Sequence, residues 1–361
     1  MASASSGRFR VLCISPAHPP NDPRVLKIIR ALGEKYEVRS LLPWRVTSSM
    51  GVLPFYPKLA VRLVLVHPLV VWHLLRYRPR IVHLFMPELL PIALLFRFLG
   101  GQVVYEVQEN HRLKFDRKPR NKHPIFQRLF HWFDRLARRY CHFVFTEDSY
   151  LSEYDTLGLP HAVVHNFAEM SAQMSSPKRD RGRPSDISTD LCYLGLISND
   201  RGLGTMLAVL DYLKSSRLHL FGRISDTPFP PQDRVILYGH VAQEIAFPLM
   251  SRCVAGLALL KPVGDYRDSY PTKLFEYMAL GLPVIASDFP LYRSVIATHK
   301  CGFCVDPTDV VAIAARITWL IAHPEEAQRM GENGWQAVRD FYNWKLEAKK
   351  LLELYQNIDF K

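Results

Sequence analysis

Hydrophobic strand-like runs alternate with helix-like segments twice along this chain, and this repeated alternation restricts the fold more than any other feature. The run "RFRVLCIS" at Arg8–Ser15 precedes a helix predicted over residues 23–35. Further strands are predicted at "YEVRSLL", "RIVHLF", "GQVVYEV", "HFVFTE" and "HAVVHN", with helices between them. Strands that alternate with helices indicate a parallel, doubly wound sheet, so the first half is predicted to be an α/β domain.

A second series of the same kind begins at "TDLCYLGLI" and continues through "RLHLFGR", "RVILYGHV", "VAGLALL", "LPVIAS" and "GFCVDP". A chain of 361 residues suits two domains of roughly 150–200 residues each. Between the two series, residues 169–189 are polar, charged and rich in Ser and Pro, which is typical of a linker. Ligands of open parallel sheets bind at the carboxyl ends of the strands, so the two domains predict a site in an interdomain cleft.

The formal net charge of +12 predicts an anionic partner: nucleic acid, phospholipid headgroups or a phosphorylated substrate. The six cysteines are scattered without a disulfide framework, and the pair Cys301 and Cys304 has no second pair with which to hold zinc. We therefore expect the cysteines in the core. Neither 60–75 nor 81–99 is apolar enough to predict a spanning helix, and no signal peptide is expected.

Several catalytic and cofactor signatures are absent from the sequence. No G-x-G-x-x-G follows the first strand and no G-x-x-x-x-G-K-[ST] occurs, which disfavours dinucleotide oxidoreductases and P-loop NTPases. H-E-x-x-H, G-x-S-x-G and the kinase motifs are missing as well. No Asp cluster of the type that holds a divalent cation against a diphosphate is seen, so no metal site is predicted.

The most informative segment is Asp268–Ser287, "DSYPTKLFEYMALGLPVIAS". A polar loop leads into a predicted helix that ends at Gly281, and a buried strand follows. The junction of loop and helix offers backbone N–H groups and a positive dipole end to an anion, and Lys273 adds a charge there. Asp268 and Glu276 can place a carboxylate on each side of that anion and bind sugar hydroxyls. Such a site describes a nucleotide-sugar.

This segment resembles the signature of retaining GT-B glycosyltransferases of the GT4 type (glycosyl transferases group 1): an acidic residue, seven residues, Glu, then M-A-x-G-x-P-V-I-A-S. Further similar pieces follow in family order: "NDPRVLKIIRALGEKYEV", "HLFMPELLP", "VVYEVQEN", "YLGLISNDRGL", "LYGHVAQEIAFPLMSRCVAGLALLKP" and "FYNWKLEAKKLLELY". The resemblance covers nearly the whole chain. It implies a GT-B fold, in which two Rossmann-like doubly wound domains face an interdomain cleft.

The resemblance also implies roles for single residues on the donor side. Asp268 would contact the transferred sugar, backbone amides of 269–272 would hold the β-phosphate, and Lys273 with Arg201 would neutralise the leaving diphosphate. Glu276 would bind the ribose. The implied donor-binding set is Gly195, Arg201, Gly222, Val241, Asp268, Ser269, Tyr270, Thr272, Lys273, Leu274 and Glu276. The alternatives are that Lys273 and Arg201 are plain surface cations and that Glu276 is a solvated helix residue.

The implied catalytic set is Asp268, Gln108, Arg201 and Lys273, and two of its members depart from the family pattern. The family usually has Glu at the position of Asp268. Related sequences often read D-x-H-E where this chain has Glu106, Val107, Gln108 and Glu109, and Gln108 cannot carry a proton at neutral pH. Either the reaction does not need an imidazole there, or His111 substitutes for it, or activity is reduced.

The implied acceptor-binding set is His18, Asp22, Arg24, Glu109, His111 and Asn166. Plainer interpretations remain open for three of these residues. His18 can be a loop residue, Asp22 can be the N-cap of the first helix, and Asn166 can be a structural residue at the hinge.

The segment Arg112–Tyr140 contains ten Lys or Arg residues, two acids and interleaved aromatics. At helical spacing Phe126, Phe130 and Phe133 share one face, which predicts docking on an anionic membrane surface. The alternative is a domain helix whose aromatics face the sheet. Nucleic acid, the third option, is disfavoured because no nucleic-acid fold signature accompanies the segment.

The sequence thus predicts a metal-independent, retaining glycosyltransferase that uses a nucleotide-sugar, with UDP as the expected nucleotide. The acceptor would be a lipid-linked or membrane-proximal glycan, as in cell-surface polysaccharide or glycolipid synthesis, and the protein would be cytoplasmic and peripheral on the inner face of the membrane. Residues 1–168 would bind the acceptor, 169–189 would link the domains, 190–340 would bind the donor, and 341–361 would return to the first domain. The alternatives are a sugar-nucleotide epimerase of the same fold and a catalytically weak pseudo-transferase that scaffolds a membrane assembly.

Overall fold

The computed structural model describes residues 8–16, 18, 22–42, 51–52, 59–110, 124–170, 174, 189–225 and 232–358. The chain divides into two compact units. The first domain comprises Met1–His165 together with Glu347–Lys361, and the second domain is Asn166–Leu346. Within the described ranges, no helix has the length and apolar character needed to cross a membrane.

The first domain contains a parallel sheet with the strand order β3-β2-β1-β4-β5-β6-β7. Its described strands are β1 (Arg10–Ile14), β2 (Glu37–Leu42), β3 (Gly51–Val52), β4 (Ile81–Leu84), β5 (Gln102–Val107), β6 (His142–Phe145) and β7 (His161–Val163). Its described helices are α1 (Pro23–Gly33), α2 (Leu59–Tyr77), α3 (Leu90–Phe98), α4 (Pro124–Tyr140) and α5 (Asp148–Leu151). The order of the strands reverses between β1 and β4.

Helices cover both faces of this first sheet. On one face, Leu12 and Ile14 of β1 pack in a single core cluster with side chains of α2, α3 and α4. On the other face lies the last helix of the chain, α12 (Trp344–Gln356), whose buried Tyr355 hydroxyl is 2.7 Å from His83 Nδ1. Because α12 follows the whole second domain in sequence, the chain crosses between the domains twice.

The second domain contains a parallel sheet with the strand order β10-β9-β8-β11-β12-β13. Its described strands are β8 (Leu191–Leu194), β9 (Leu218–Phe221), β10 (Val235–Gly239), β11 (Ala255–Ala258), β12 (Val284–Ser287) and β13 (Gly302–Val305). Its described helices are α6 (Leu203–Val209), α7 (Gln243–Met250), α8 (Thr272–Ala279), α9 (Pro290–His299), α10 (Val310–Ala322) and α11 (Pro324–Asp340). One core cluster of this domain includes side chains of α8 and α11, and a second includes side chains of α6 and α10.

The predicted α/β alternation is confirmed, and so are two local features of it. Asp22 caps α1 by accepting from Val25 N at 3.0 Å. Gly281 follows α8 with φ of 66°, and Leu282 N donates to the carbonyl of Tyr277 at 2.9 Å, which closes the helix C-terminus. Helix α6 is short, since it ends at Val209 and turns follow.

Within the predicted linker 169–189, Met174 is buried in the core of the second domain. Its carbonyl accepts a hydrogen bond from Trp335 Nε1 at 2.5 Å. This one residue is therefore held by packing rather than solvated. Residues 171–173 and 175–188 lie outside the described residues.

Gly222 is expected to be indispensable for the second sheet. Its φ is +148°, and a Cβ atom there would lie 1.8 Å from the carbonyl oxygen of Gly195. Strain and clash together predict that Gly222→Ala lowers the free energy of unfolding by about 1–3 kcal/mol or more, measured by chemical denaturation. In the matched control Gly33→Ala, a Cβ meets nothing within 4 Å, so a change below about 1 kcal/mol is expected. Equal stability of the Gly222→Ala variant and the native protein would contradict this account.

Candidate functional site

The strand order of the second sheet reverses between β8 and β11, and the loops after these two strands meet at the carboxyl edge. Gly195 follows β8 directly, and after β11 the backbone N–H of Lys261 donates to the carbonyl of Asp200 at 2.9 Å. Open α/β sheets bind their ligands at such a reversal point. The topology therefore places the candidate site at this edge of the second domain.

Two cations lie against the backbone of Gly195. A Cβ atom on Gly195 would be 3.5 Å from Lys273 Nζ and 4.0 Å from Arg201 Nη1. The φ of Gly195 is +116°, a conformation that side-chain-bearing residues rarely adopt. Glycine thus leaves this stretch of backbone open to a ligand beside both cations.

The ammonium group of Lys273 is buried against Tyr193. Lys273 is 4% exposed, its Nζ donates to the Tyr193 hydroxyl at 2.6 Å, and Nζ lies 3.8 Å from the centroid of the Tyr193 ring. Burial lowers the pKa of Lys273 well below its ordinary value of 10.5, and repulsion from Arg201 lowers it as well, while Glu276 opposes the shift. A second negative group beside Nζ would favour the charged form.

Arg201 is held in a similar way by Tyr266. Arg201 Nε donates to the Tyr266 hydroxyl at 3.3 Å, and the guanidinium carbon lies 5.4 Å from that ring's centroid. Tyr292, in turn, donates its hydroxyl to the carbonyl of Tyr266 at 2.7 Å. Among the described residues, the side-chain hydrogen bonds of Lys273 and Arg201 go to phenol hydroxyls and not to carboxylates. The two basic side chains are therefore oriented by neutral phenols rather than by carboxylates.

The first turn of α8 adds backbone donors to the same place. The N-cap residue of α8 is Pro271, and no side chain caps the helix. Before it, Ser269 Oγ donates to the carbonyl of Asp265 at 2.8 Å and Asp268 N donates to the same carbonyl at 3.0 Å, which forms a turn. An uncapped helix start with two cations near it is a site for an anion such as a diphosphate.

Other members of the predicted donor set differ in how far their side chains are exposed. Glu276, one turn into α8, is half-buried and accepts from Gln243 Nε2 at 3.2 Å. Asp268 is exposed, and Val241 is half-buried beside the core. The Leu274 side chain is fully buried and the Tyr270 ring packs against aromatic neighbours, so these two offer a ligand mainly their backbone.

Sequence reasoning missed the residues that position the predicted ones: Tyr193, Tyr266 and Gln243. Tyr193 lies in the quoted piece "YLGLISNDRGL", one residue before Leu194 and two before Gly195. A polar side chain so close to the end of a buried strand was the available signal. Tyr266 and Gln243 carry no comparable signal, because their distance in sequence from Arg201 and Glu276 hides the contact.

In the first domain, one predicted acceptor residue, Arg24, and one predicted catalytic residue, Gln108, both donate to a buried carboxylate. Glu106 is 1% exposed at the end of β5. Its Oε1 accepts from Arg24 Nε at 3.1 Å and from Gln108 Nε2 at 2.6 Å, and its Oε2 lies 3.3 Å from His83 Nε2. Burial raises the pKa of Glu106, but the Arg24 guanidinium and His83 lower it more, and the net pKa is about 2 against an ordinary 4.5.

This carboxylate fixes the orientation of Gln108. An ionised carboxylate only accepts hydrogen bonds, so the amide nitrogen of Gln108 faces Glu106. The carbonyl oxygen of Gln108 then points away from the carboxylate. Gln108 therefore presents a hydrogen-bond acceptor on the side away from Glu106, and a sugar hydroxyl would suit it.

The remaining predicted acceptor residues are only partly assembled. Arg24 is buried and binds Glu106 and the carbonyl of His165, the latter at 2.9 Å, so it serves to hold the domain together. Asp22 caps α1, and His18 Nδ1 lies 2.6 Å from Ser15 Oγ.

Glu109 is exposed, and the buried side-chain oxygen of Asn166 has no hydrogen-bond partner among the described residues. His111 lies outside the described residues. The roles of this set in binding an acceptor remain predictions.

Residues 230–337 of the second domain match the family model described as "Glycosyl transferases group 1". They include α8, Lys273 and Glu276, but Gly195 and Arg201 lie before the matched segment.

A related curated protein is the phosphatidyl-myo-inositol mannosyltransferase of Mycobacterium leprae, 31% identical over 91 residues. The alignment covers 25% of this chain and 24% of that protein, so the chain spans about a quarter of the relative's length.

Solved structures match over a far larger share of the chain than this relative does. Sucrose-phosphate synthase from Thermosynechococcus elongatus has a TM-score of 0.76 at 16% identity, over 97% of this chain and 99% of that chain. HepE from Anabaena, in a structure with UDP and glucose, has a TM-score of 0.69 at 14% identity, over 97% and 100%. At this identity the likeness shows the fold alone, which is the GT-B fold with two Rossmann-like domains.

The Glu106 cluster predicts a specific acid sensitivity. The folded pKa of about 2 lies below the ordinary 4.5, so ionised Glu106 stabilises the fold above pH 4.5, and this contribution is lost as the pH falls towards 2. Glu106→Gln strands the buried Arg24 charge and is expected to cost about 3–5 kcal/mol at neutral pH. It should also flatten the pH dependence of the free energy of unfolding between pH 4.5 and about pH 2, as measured by chemical denaturation.

A matched control is Glu37→Gln, because Glu37 pairs with Arg10 at the surface with both side chains about half exposed. Its expected cost is below about 1 kcal/mol. If the two variants lose equal stability, Glu106 does not carry the buried charge that the structure shows.

The lowered pKa of Lys273 predicts a pH-dependent affinity for a nucleotide-sugar. Since the ammonium form binds the diphosphate, binding of UDP-glucose should weaken as the pH rises at values still below the ordinary lysine pKa of 10.5. UDP-glucose is chosen because its diphosphate diester does not titrate in that range. Isothermal titration calorimetry measures the affinity and the protons taken up. Lys273→Arg, which stays charged, should remove the pH dependence; an affinity of the native protein that is flat over this range would contradict the assignment.

Proposed function

We propose that this protein is a glycosyltransferase that moves a sugar from a nucleotide-sugar to a lipid-linked or membrane-proximal glycan. The second domain binds the donor and the first domain binds the acceptor. The observation that carries the proposal is the pair Lys273 and Arg201, oriented by phenols beside Gly195 at the uncapped start of α8. This arrangement suits a diphosphate that leaves during transfer.

The chemistry of transfer follows from the same charges. As the bond between sugar and diphosphate breaks, negative charge grows on the β-phosphate, and Lys273, Arg201 and the α8 amides stabilise it. These groups can do the work that a metal ion does elsewhere, so we propose a metal-independent reaction. The match of residues 230–337 to the group 1 family model supports retention of the anomeric configuration as part of the proposal.

The choice of donor and acceptor rests on the comparisons. HepE was crystallised with UDP and glucose, which supports UDP as the nucleotide. The mycobacterial relative is named for mannosyl transfer to a phosphoinositide, which supports a lipid-linked acceptor and a place in cell-surface polysaccharide or glycolipid synthesis. An acceptor of this kind, with the basic helix α4, supports a peripheral position on the inner face of the membrane.

A second candidate function comes from Gln108. Its amide is engaged by Glu106 and cannot exchange a proton as an imidazole does. A catalytically weak protein that binds a nucleotide-sugar and scaffolds a membrane assembly would have this feature. Product formation separates the two candidates, because both bind nucleotide but only the transferase couples donor cleavage to an acceptor.

The expected donor-site behaviour is a nucleotide-specific rise in melting temperature. UDP, GDP, ADP and their common sugars are tested in a thermal-shift panel with and without EDTA, since ligands of the native state raise its stability. UDP and a UDP-sugar should each raise the melting temperature by the same amount with EDTA as without it. Lys273→Ala and Glu276→Ala should abolish the shift, whereas the surface controls Lys214→Ala and Glu325→Ala should keep it.

The sugar is then identified by incubation with a glycolipid acceptor and the stabilising donor. Proton NMR of the product reports the anomeric configuration, and retention is expected. A panel in which no nucleotide stabilises the native protein would refute the donor site. Stabilisation without product would favour the scaffold, and an inverted product would refute the proposed stereochemistry.

A further inference from the structure

The exposed apolar side chains of this protein are unevenly distributed. Among the described residues, 17 large hydrophobic side chains are exposed, and nine of them lie on α2, on α4, and on α3 with the residue that follows it. They are Val71, Trp72, Leu75, Leu95, Phe98, Leu99, Ile125, Leu129 and Trp132. Concentrations of exposed apolar surface mark interaction sites, whereas scattered single residues do not.

The three helices cover the same face of the first sheet, because their inward side chains enter one core cluster. Val66 and Val70 of α2, Ala93 and Leu94 of α3, and Ala137 of α4 are all members of it. The outward side chains of these helices therefore lie on the same side of the first domain.

The two helices α3 and α4 are also directly joined. Arg97 Nε donates to the carbonyl of Tyr140 at 2.9 Å, and the rings of Phe98 and Tyr140 are 5.3 Å apart. We call the outward surface of these helices, formed by the nine side chains above, the α2–α3–α4 face.

On α4 the structure corrects the predicted orientation of the aromatics. Phe133 packs against the core of the first domain, and Phe130 is half-buried, while the side chain of Phe126 is not described. The apolar side chains that point outward are Ile125, Leu129 and Trp132, at spacings of four and three residues. These spacings place them on one face of the helix.

The charge of the α2–α3–α4 face has one sign. Asp134 is the only acid in the sequences of the three helices, and it is buried and bonded to Arg138 at 2.8 Å. Arg76, Arg128, Arg135 and Arg139 are exposed among the apolar side chains. The surface thus combines apolar and cationic side chains and lacks an exposed carboxylate.

We propose that the α2–α3–α4 face inserts its apolar side chains into the interface of an anionic lipid bilayer. Trp, Leu and Phe beside Arg are the side chains that occupy the boundary of headgroups and acyl chains. A protein partner would be expected to meet a mixture of charges, whereas a bilayer offers an apolar layer beneath anionic headgroups. This inference rests on the proposed function for the membrane location of the acceptor, but lipid binding is measurable without any transfer.

The test is co-sedimentation of the full chain with sucrose-loaded vesicles of phosphatidylcholine and phosphatidylglycerol. The native protein should bind these vesicles and bind pure phosphatidylcholine at least about tenfold more weakly. Phe98→Ser with Leu99→Ser should lower the partition coefficient by about tenfold or more, since both side chains lose an apolar environment. Arg128→Gln with Arg135→Gln should lower it on anionic vesicles and remove most of the difference between the two lipids.

The matched control is Val311→Ser with Phe341→Ser, two residues of the second domain with similar exposure, 59% each against 61% and 78% for Phe98 and Leu99. The control should bind vesicles like the native protein. Circular dichroism and melting temperature establish that each variant is folded. All six substituted sites are exposed, so folding should be retained.

Native binding that is equal for both lipids, or unchanged by the Phe98 and Leu99 substitutions, would overturn the proposal. So would a native dimer that these substitutions convert into a monomer in the absence of vesicles, because the face would then be a protein interface. Lys273→Ala serves to separate the two hypotheses: it should abolish nucleotide binding and leave vesicle binding intact. If the protein does not bind a nucleotide-sugar, vesicle binding should still be observed. If the α2–α3–α4 face does not bind lipid, nucleotides should still raise the melting temperature.

Discussion

The second domain depends on a buried ammonium group whose direct partner is neutral. Removing a charged group from water costs several kcal/mol, and contact with a desolvated aromatic ring returns about 2 kcal/mol or more of it. Lys273 is held by the Tyr193 ring and hydroxyl and is repelled by Arg201, and its pKa is lowered accordingly. The uncapped start of α8 adds positive potential. A bound diphosphate would offset the desolvation of Lys273 and its repulsion from Arg201, which is why we regard the site as suited to one.

The first domain also buries a charged group, but there the charge is paired with an opposite charge of the same domain. Glu106 is as deeply buried as Lys273, but it is paired with Arg24 and faces His83, so its charge is satisfied within the protein. A satisfied charge contributes to stability and to the orientation of neighbours such as Gln108. A charge held only by phenols contributes little to stability and is available to a ligand. The difference in partners, rather than in burial, separates the structural cluster from the candidate site.

Much of the fold follows from local patterns in the sequence. Buried runs such as residues 11–14 predict strands because the side chains of a central parallel strand need apolar neighbours on both faces of the sheet. Pro23 after Asp22 predicts the start of α1, and Gly281 predicts the end of α8. The predicted motif also placed Lys273 and Glu276 on one helix. The phenols that hold Lys273 and Arg201 were not predicted, because Tyr193 and Lys273 are 80 residues apart and only the packed sheet brings them together.

The sequence alone determined the two α/β domains, the position of the candidate-site helix α8 and the basic, aromatic character of α4, since each depends on residues close together in the chain. Only the tertiary structure decided which partner each charge has and which side chains remain outside. Arg24 became an internal pair of Glu106 across 82 residues, while Arg201 was left for a ligand. Phe133 turned to the core and Trp132 to the surface, because α4 packs against the sheet in one orientation. Periodicity defines the faces of a helix, but only the packing of the neighbouring elements determines which face is buried.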